Sequence, residues 1–283
     1  MTTRRFFIKR AGAGLLAMGA YPLPLGAEVR GAIDGTGYGR DLFKLSVAGY
    51  TFRQYSLSDS LKIMQRTDIH YLCIKDFHLP LDSTDETVAA FHAELSAAKV
   101  TGYAVGPIYM KSEEDVDRAF AYAKRAGVKL IVGVPNYELL PYVDTKVRAY
   151  DFRCAIHIHG PDMELYPTAE DVMRRVEKLD PRIGLCLDIA HDTRAGFDPV
   201  ADLKRYHRRI FDIHLNDTTV AAKEGKLCEP GRGVIDFSAF VKALRKVKYN
   251  GCCSIELTSG KEETPAALAG SAGYFRGIMD AVK

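Results

Sequence analysis

Residues 154–163 read CAIHIHGPDM. A short apolar run delivers His157 and His159 two residues apart, and Gly160-Pro161 then breaks it. Side chains two apart on a strand point to the same side. Two imidazoles at a strand end could hold a metal ion or move protons. Groups capable of the same chemistry close similar runs further along. Asp188 closes one, with His191 three residues on; His214 closes the next, with Asp217 beyond; Glu256 closes the last. His157, Asp188, His214 and Glu256 together offer two imidazoles and two carboxylates. That donor set suits one divalent ion of the Mn²⁺, Co²⁺, Ni²⁺ or Zn²⁺ type. Mg²⁺ and Ca²⁺ prefer all-oxygen shells. Any one of these residues alone would read as a hydrogen-bonded strand end; the argument lies in the four together.

The elements that must position these groups are legible as an alternation. Apolar runs at 43–49, 71–77, 102–108, 129–135, 152–158, 183–189, 210–216 and 252–258 are separated by stretches of helical periodicity. The helices are expected near 58–66, 84–98, 112–126, 138–150, 168–179, 198–208, 236–247 and 265–282. Continuous apolar runs are the mark of parallel strands buried on both faces. Ser112 and Thr168, each followed by acidic residues, and the Asp198-Pro199 pair mark helix starts. Eight strand–helix units predict a single-domain α/β fold, a (β/α)8 TIM barrel over residues 40–283, rather than an open doubly wound sheet. No Gly-rich phosphate fingerprint follows the first strand. In such a barrel the active site lies at the C-terminal strand ends. Five of the eight histidines (His78, His157, His159, His191 and His214) fall there.

Residues 1–27 are of another kind. Arg4 and Arg5 precede Phe7, Lys9 and a modest apolar stretch ending in small residues. That order predicts a twin-arginine export signal, cleaved near Ala27, and a periplasmic location for the mature chain. Its removal takes away four basic residues and no acidic one, so the formal charge falls from +3 to −1. No basic patch then points to nucleic acid. No later apolar stretch is long enough to span a membrane. The six cysteines show no CxxC spacing and no disulfide framework. The expected partner is a small sugar, and a homo-oligomer is compatible with the sequence.

The strings GLCLDIAH (184–191), FDIHLND (211–217), PGRGVIDF (230–237) and CSIELTSG (253–260) resemble the xylose-isomerase-like TIM barrels, which include sugar phosphate isomerases and epimerases. The resemblance covers nearly all of the chain after residue 40. It implies a metal held by Glu, Asp, His and Glu on four successive strands. Asp188, His214 and Glu256 match the last three positions. At the first, the family's Glu-Asn-His-Gly pattern aligns with His157-Ile158-His159-Gly160. Two-base epimerisation needs a carboxylate at that first position, so the departure argues against simple epimerisation. KDFHLPL (75–81), IHIHGPD (156–162) and LDPRIGLCLDIAH (179–191) are similar to a branch of exported barrels associated with β-elimination or hydration of 3-keto-glycosides.

The chemistry common to these readings is abstraction of a proton α to a carbonyl, aided by the ion. Glu256 is the candidate base; His191 and His159 are candidate proton donors to a leaving oxygen. Lys75 and His78 could bind substrate oxygens, or serve as second partners of nearby acids such as Asp76. Arg232, between two glycines, could present a guanidinium to substrate. Asp217 could orient His214 or cap a turn. Tyr50, Phe52 and Tyr109 could line an apolar wall or belong to the core. Lyase or hydratase chemistry leads; a ketose isomerase or epimerase, and a non-catalytic sugar-binding barrel, are the alternatives.

Overall fold

The computed structural model describes residues 41–282, and the expected export signal at 1–27 lies outside them. The chain runs β1 (Lys44–Ala48), α1 (Leu57–Arg66), β2 (Tyr71–Ile74), α2 (Asp85–Ala97), β3 (Thr101–Met110), α3 (Glu113–Arg125), β4 (Leu130–Pro135), α4 (Leu140–Tyr150), β5 (Arg153–His157) and α5 (Ala169–Val176). It continues β6 (Ile183–Asp188), α6 (Ile189–Arg194), α7 (Pro199–Tyr206), β7 (Ile210–Leu215), β8 (Asp217–Thr218), β9 (Leu227–Cys228), α8 (Phe237–Lys246), β10 (Cys252–Ile255) and α9 (Thr264–Ala281). Eight strands close in the order β1-β10-β7-β6-β5-β4-β3-β2, all parallel. The fold is the (β/α)8 barrel expected from the alternation. Two elements were not expected: the one-and-a-half-turn helix α6 directly after β6, and the antiparallel β8–β9 hairpin after β7. Both are loop insertions too short to carry a periodic signal. Among the described residues no helix is long and apolar enough to cross a membrane.

Strand alternation sorts the side chains. Cys154 and Ile156 on β5, Leu185 and Leu187 on β6, and Ile213 and Leu215 on β7 pack outward into the main core beneath the helices. Their neighbours point inward, where Cys73, Ala104, Val132, Ala155 and Cys186 form a small apolar layer inside the barrel. The helix starts read from sequence carry caps. Ser112 and Thr168 accept the backbone N–H of Asp115 and Asp171, and Asp198 accepts that of Val200. Each such cap is worth about 1 kcal/mol.

One buried acid works against the fold. Asp192 on α6 is fully buried, and neither carboxylate oxygen has a partner among the described residues. Burial, reinforced by Asp202, pushes its carboxyl up to about 8. The unfolded chain ionises the same group near pH 4 (roughly 3.9). Between about pH 4 and pH 8 the fold keeps a proton that the unfolded chain releases, so stability falls as pH rises through that window. Asp192→Asn should therefore raise the melting temperature by several degrees at pH 8 and much less at pH 5. Thermal melts at the two pH values check this; an equal shift at both would show that Asp192 does not titrate in the fold.

Candidate metal centre

The ends of β5, β6, β7 and β10 bring four predicted side chains together. His157, Asp188, His214 and Glu256 each present one donor atom, and the four atoms lie within 4.8 Å of one another. His214 Nδ1 is 3.0 Å from His157 Nε2 and 3.0 Å from Glu256 Oε2, and His157 Nε2 is 3.8 Å from Asp188 Oδ2. A ring nitrogen carries one hydrogen or one lone pair, never both. His214 Nδ1 therefore cannot make good hydrogen bonds to both neighbours when each is an acceptor. A divalent ion resolves the conflict, since donors about 2.1 Å from it stand about 3.0–3.4 Å apart. The residues present thus fit one divalent ion. A second trio, His157, Cys186 and His214, is also close enough. Burial pushes the Cys186 thiol up to about 12, however, and a neutral thiol is a poor ligand.

Burial opposes a charge on His214, but Cys186 and Glu256 outweigh it and hold the ring well above the usual histidine range, so a proton must leave His214 when an ion binds. Burial, with His214 adding to it, holds His157 well below the usual histidine range, so it is a neutral imidazole with a lone pair to give. Burial raises Asp188. Burial opposes ionisation of Glu256 as well, but His214 beside it outweighs this and keeps the carboxyl low.

His159 and His191 join the cluster. The His157 and His159 ring centroids are 4.5 Å apart, so the turn at Gly160 does not swing His159 away. The His191 ring is 6.2 Å from His157 and 6.0 Å from His159. Gly160 has φ +65°, and a Cβ there would stand 2.7 Å from the His191 carbonyl oxygen. Only glycine lets the β5 loop press this closely on α6. The Tyr109 hydroxyl meets His159 Nε2 at 2.8 Å, which leaves His159 Nδ1, like His191 Nδ1, buried without a partner among the described residues. Burial, then His191, brings His159 down to about 4.

The other predicted residues divide. Lys75 is near the cluster, but its ammonium is held by the Pro107 carbonyl at 2.6 Å and by Asp76 at 3.3 Å. His78 does not join: its Nε2 meets the Tyr55 carbonyl at 3.0 Å and Ser60 Oγ at 3.3 Å, because the chain turns toward α1 just past β2. Arg232 also stands apart. It lines an open groove of about 600 Å³ with Glu229, Glu263 and Tyr274, whereas the smaller cleft that reaches Glu256 lies beside it. Asp217 does not touch His214. Its carboxylate accepts the backbone N–H groups of Thr218, Gly231, Gly233 and Ile235, and so folds the 229–235 loop around itself. Phe52 is core, whereas Tyr50 and Tyr109 are exposed at the mouth with Phe77.

Several positioning residues escape the strand-end reading. Asn216 donates to Asp188 Oδ2 at 3.0 Å and accepts from Ala190 N, tying the carboxylate to the start of α6. Arg194 bridges Asp162 of the β5 loop to the Lys223 carbonyl of the β8–β9 hairpin. Thr51 and Arg53, past β1, bond the backbone from Ile255 to Ser259 and fix the segment around Glu256. A polar residue two positions beyond a ligand, as in HLND, is the signal that could have found Asn216.

The chain belongs to the xylose isomerase-like TIM barrel family, which it matches over residues 48–277. It is 29% identical over 165 residues to the rhizopine catabolism protein MocC of Rhizobium meliloti, covering 49% of this chain and 51% of that protein. It is 33% identical over 115 residues to an inosose dehydratase of Geobacillus kaustophilus, covering 35% of this chain and 36% of that enzyme. The chain thus spans about half, or less, of the length of these curated relatives. Its fold matches the IolI protein solved with a bound zinc atom at a TM-score of 0.71, with 18% identity over 85% of this chain and 99% of that one. It also matches the probable 3-DHS dehydratase AsbF of Bacillus anthracis at a TM-score of 0.67, with 12% identity over 83% and 99% of the two chains.

Metal analysis checks the centre. The purified protein should take up one equivalent of Zn²⁺ or Mn²⁺. His157→Ala and Asp188→Ala should lose most of that affinity, while His78→Ala should keep it.

Proposed function

We propose that the protein is a metal-dependent carbohydrate lyase of the dehydratase type. It would remove the proton α to the carbonyl of a keto-sugar and expel, or in reverse add, the oxygen at the β carbon. The carrying observation is the convergence of four metal-capable donors with two further histidines, each with a buried Nδ1 that has no partner among the described residues. A divalent ion held there would polarise the carbonyl and offset the charge that grows on its oxygen as the α-proton leaves. Glu256 is the one member of the four that is not fully buried, and it borders a cleft. It is placed to take the α-proton. As the electron pair moves in to form the double bond, the β carbon–oxygen bond breaks. His191, with His159 and its Tyr109 hydroxyl partner beside it, hands a proton to the departing oxygen. The curated relatives named as inosose dehydratases support elimination chemistry of this type.

For the substrate we propose a 3-keto-glycoside. Tyr50, Phe77 and Tyr109 are exposed at 39%, 42% and 47%, and they follow or end β1, β2 and β3. The metal donors occupy β5, β6, β7 and β10. An apolar arc facing the metal arc supports a substrate with a second ring to stack. A free cyclic keto-polyol, as the named relatives suggest, is the second reading. The histidine at position 157 removes the second carboxylate that a two-base epimerase requires. We further propose that the chain acts outside the cytoplasm, on the strength of Arg4 and Arg5. Replacing both with Lys should hold the precursor in the cytoplasm, and normal export of that variant would end the proposal.

Turnover separates the readings. Metal-loaded protein should convert a 3-keto-glycoside to the unsaturated ketone and free alcohol faster than it dehydrates an inosose. His159→Ala should keep its metal and lose about 10²–10⁴-fold in rate. Metal uptake with no turnover of any keto-sugar would leave a sugar-binding barrel instead.

A further inference from the structure

Beneath the metal centre lies a polar column that the chemistry above does not use. Asp212 is two residues before His214 on β7, so both point into the barrel, one above the other. Asp212 is fully buried. Its carboxylate oxygens are 3.0 and 2.9 Å from the Tyr103 hydroxyl on β3, across the barrel. The Tyr103 hydroxyl also meets Ser254 Oγ on β10, and Ser254 Oγ is 2.7 Å from Ser46 Oγ on β1. Three hydroxyls carry three protons. The arrangement closes without conflict when Ser46 donates to Ser254, Ser254 to Tyr103 and Tyr103 to Asp212. Asp212 also accepts its neighbour's Ile213 N–H at Oδ1. Every donor in the column thus ends on this carboxylate, and Oδ2 keeps a lone pair to spare.

The group facing that lone pair is His214 Nε2. It is buried without a hydrogen-bond partner among the described residues and lies 3.7 Å from Asp212 Oδ2. The gap is about 0.5–1 Å longer than an N–H···O bond, and a small tilt of the ring closes it. On the other edge of the ring, Nδ1 faces the other donors of the centre. A histidine binds a metal through a nitrogen that carries no proton, so ligation through Nδ1 obliges Nε2 to carry it. Cys186 Sγ is also close to His214, but a thiol sulfur is a weak acceptor. We propose that Asp212, braced by Tyr103, Ser254 and Ser46, accepts the proton on His214 Nε2 and so holds the ring in the tautomer that gives Nδ1 to the metal. Asp212 and Tyr103 are positioning residues: they act on the metal through His214 and do not touch it. This inference rests on the metal reading of the four donors.

Asp212→Asn tests it with little change of shape. The amide oxygen takes the place that accepts from Ile213 N and Tyr103, which turns the NH₂ toward His214, donor against donor. Competition for Zn²⁺ against a chromophoric chelator, on the full folded chain, should show about a 10–100-fold loss of affinity. Tyr103→Phe, which removes one support and leaves the carboxylate, should lose several-fold. Cys186→Ala should bind zinc as the wild type does. In the zinc-loaded wild type, long-range ¹⁵N–¹H spectra should place the His214 proton on Nε2. A folded Asp212→Asn or Tyr103→Phe protein with zinc affinity within twofold of wild type would overturn the inference, as would a proton on His214 Nδ1. Failure of the wild type itself to bind zinc or manganese would instead remove the metal reading, and this inference with it.

Discussion

Closure of eight parallel strands into a barrel is the constraint on which the rest depends. Once the ring is closed, side chains on each strand alternate between the outer core and the barrel interior, and inward groups stack in layers. The apolar layer of Cys73, Ala104, Val132, Ala155 and Cys186 shares the floor with the Asp212–Tyr103 column. Above it, the last inward positions of β5, β6 and β7, with the residue just past β10, can only converge. That convergence is costly without an ion. Two carboxylates and two imidazoles leave water together, and the neutral His157 and the raised Asp188 register the expense. A divalent cation turns the same cost into affinity.

The mouth is then divided by strand number. β5, β6, β7 and β10 hold the donors, while β1, β2 and β3 lead into Tyr50, Phe77 and Tyr109. The loops between are fastened to one another more than to solvent. Asp217 gathers four backbone N–H groups of its own connection, and Arg194 joins the β5 loop to the β8–β9 hairpin. Gly233 shows how close this packing is: a Cβ there would lie 2.4 Å from Asp217 Oδ1. Loops braced in this way would keep the proposed proton carriers within hydrogen-bond reach of a substrate.

The barrel was legible because strands buried on both faces cannot alternate with polar residues, and so announce themselves as apolar runs. His157, Asp188, His214 and Glu256 were legible for the complementary reason: a titratable group that ends such a run has nowhere to point except the mouth. His78 and Arg232 mark the limit of that rule. Both stand a few residues beyond a strand, where the path of the loop decides the direction, and no spacing in the sequence encodes a turn toward α1 or toward α9. Asp212 and Tyr103 were missed from the other side. They sit inside strands, where one polar residue in an apolar run reads as a minor blemish. Only the closed ring brings β3 opposite β7 and shows that the two blemishes meet.

The histidine at position 157 changes what this architecture can do. With a carboxylate there, three anionic groups would surround a divalent ion, and the buried centre would carry a net negative charge. With His157 the two remaining ligand carboxylates would match the charge of a divalent ion, and Asp212 below His214 is a further buried acid. A less anionic ligand set costs less to bury, and it would leave more of a bound cation's field for a substrate oxygen, because fewer anions would share it. The same exchange removes a base from one face of the substrate. Glu256 remains as the carboxylate that borders the cleft, and His159, His191 and the Tyr109 hydroxyl lie together beside the centre. An elimination of the proposed kind would need one base and a separate proton donor, since a proton must leave one carbon while another is supplied to the oxygen departing from its neighbour.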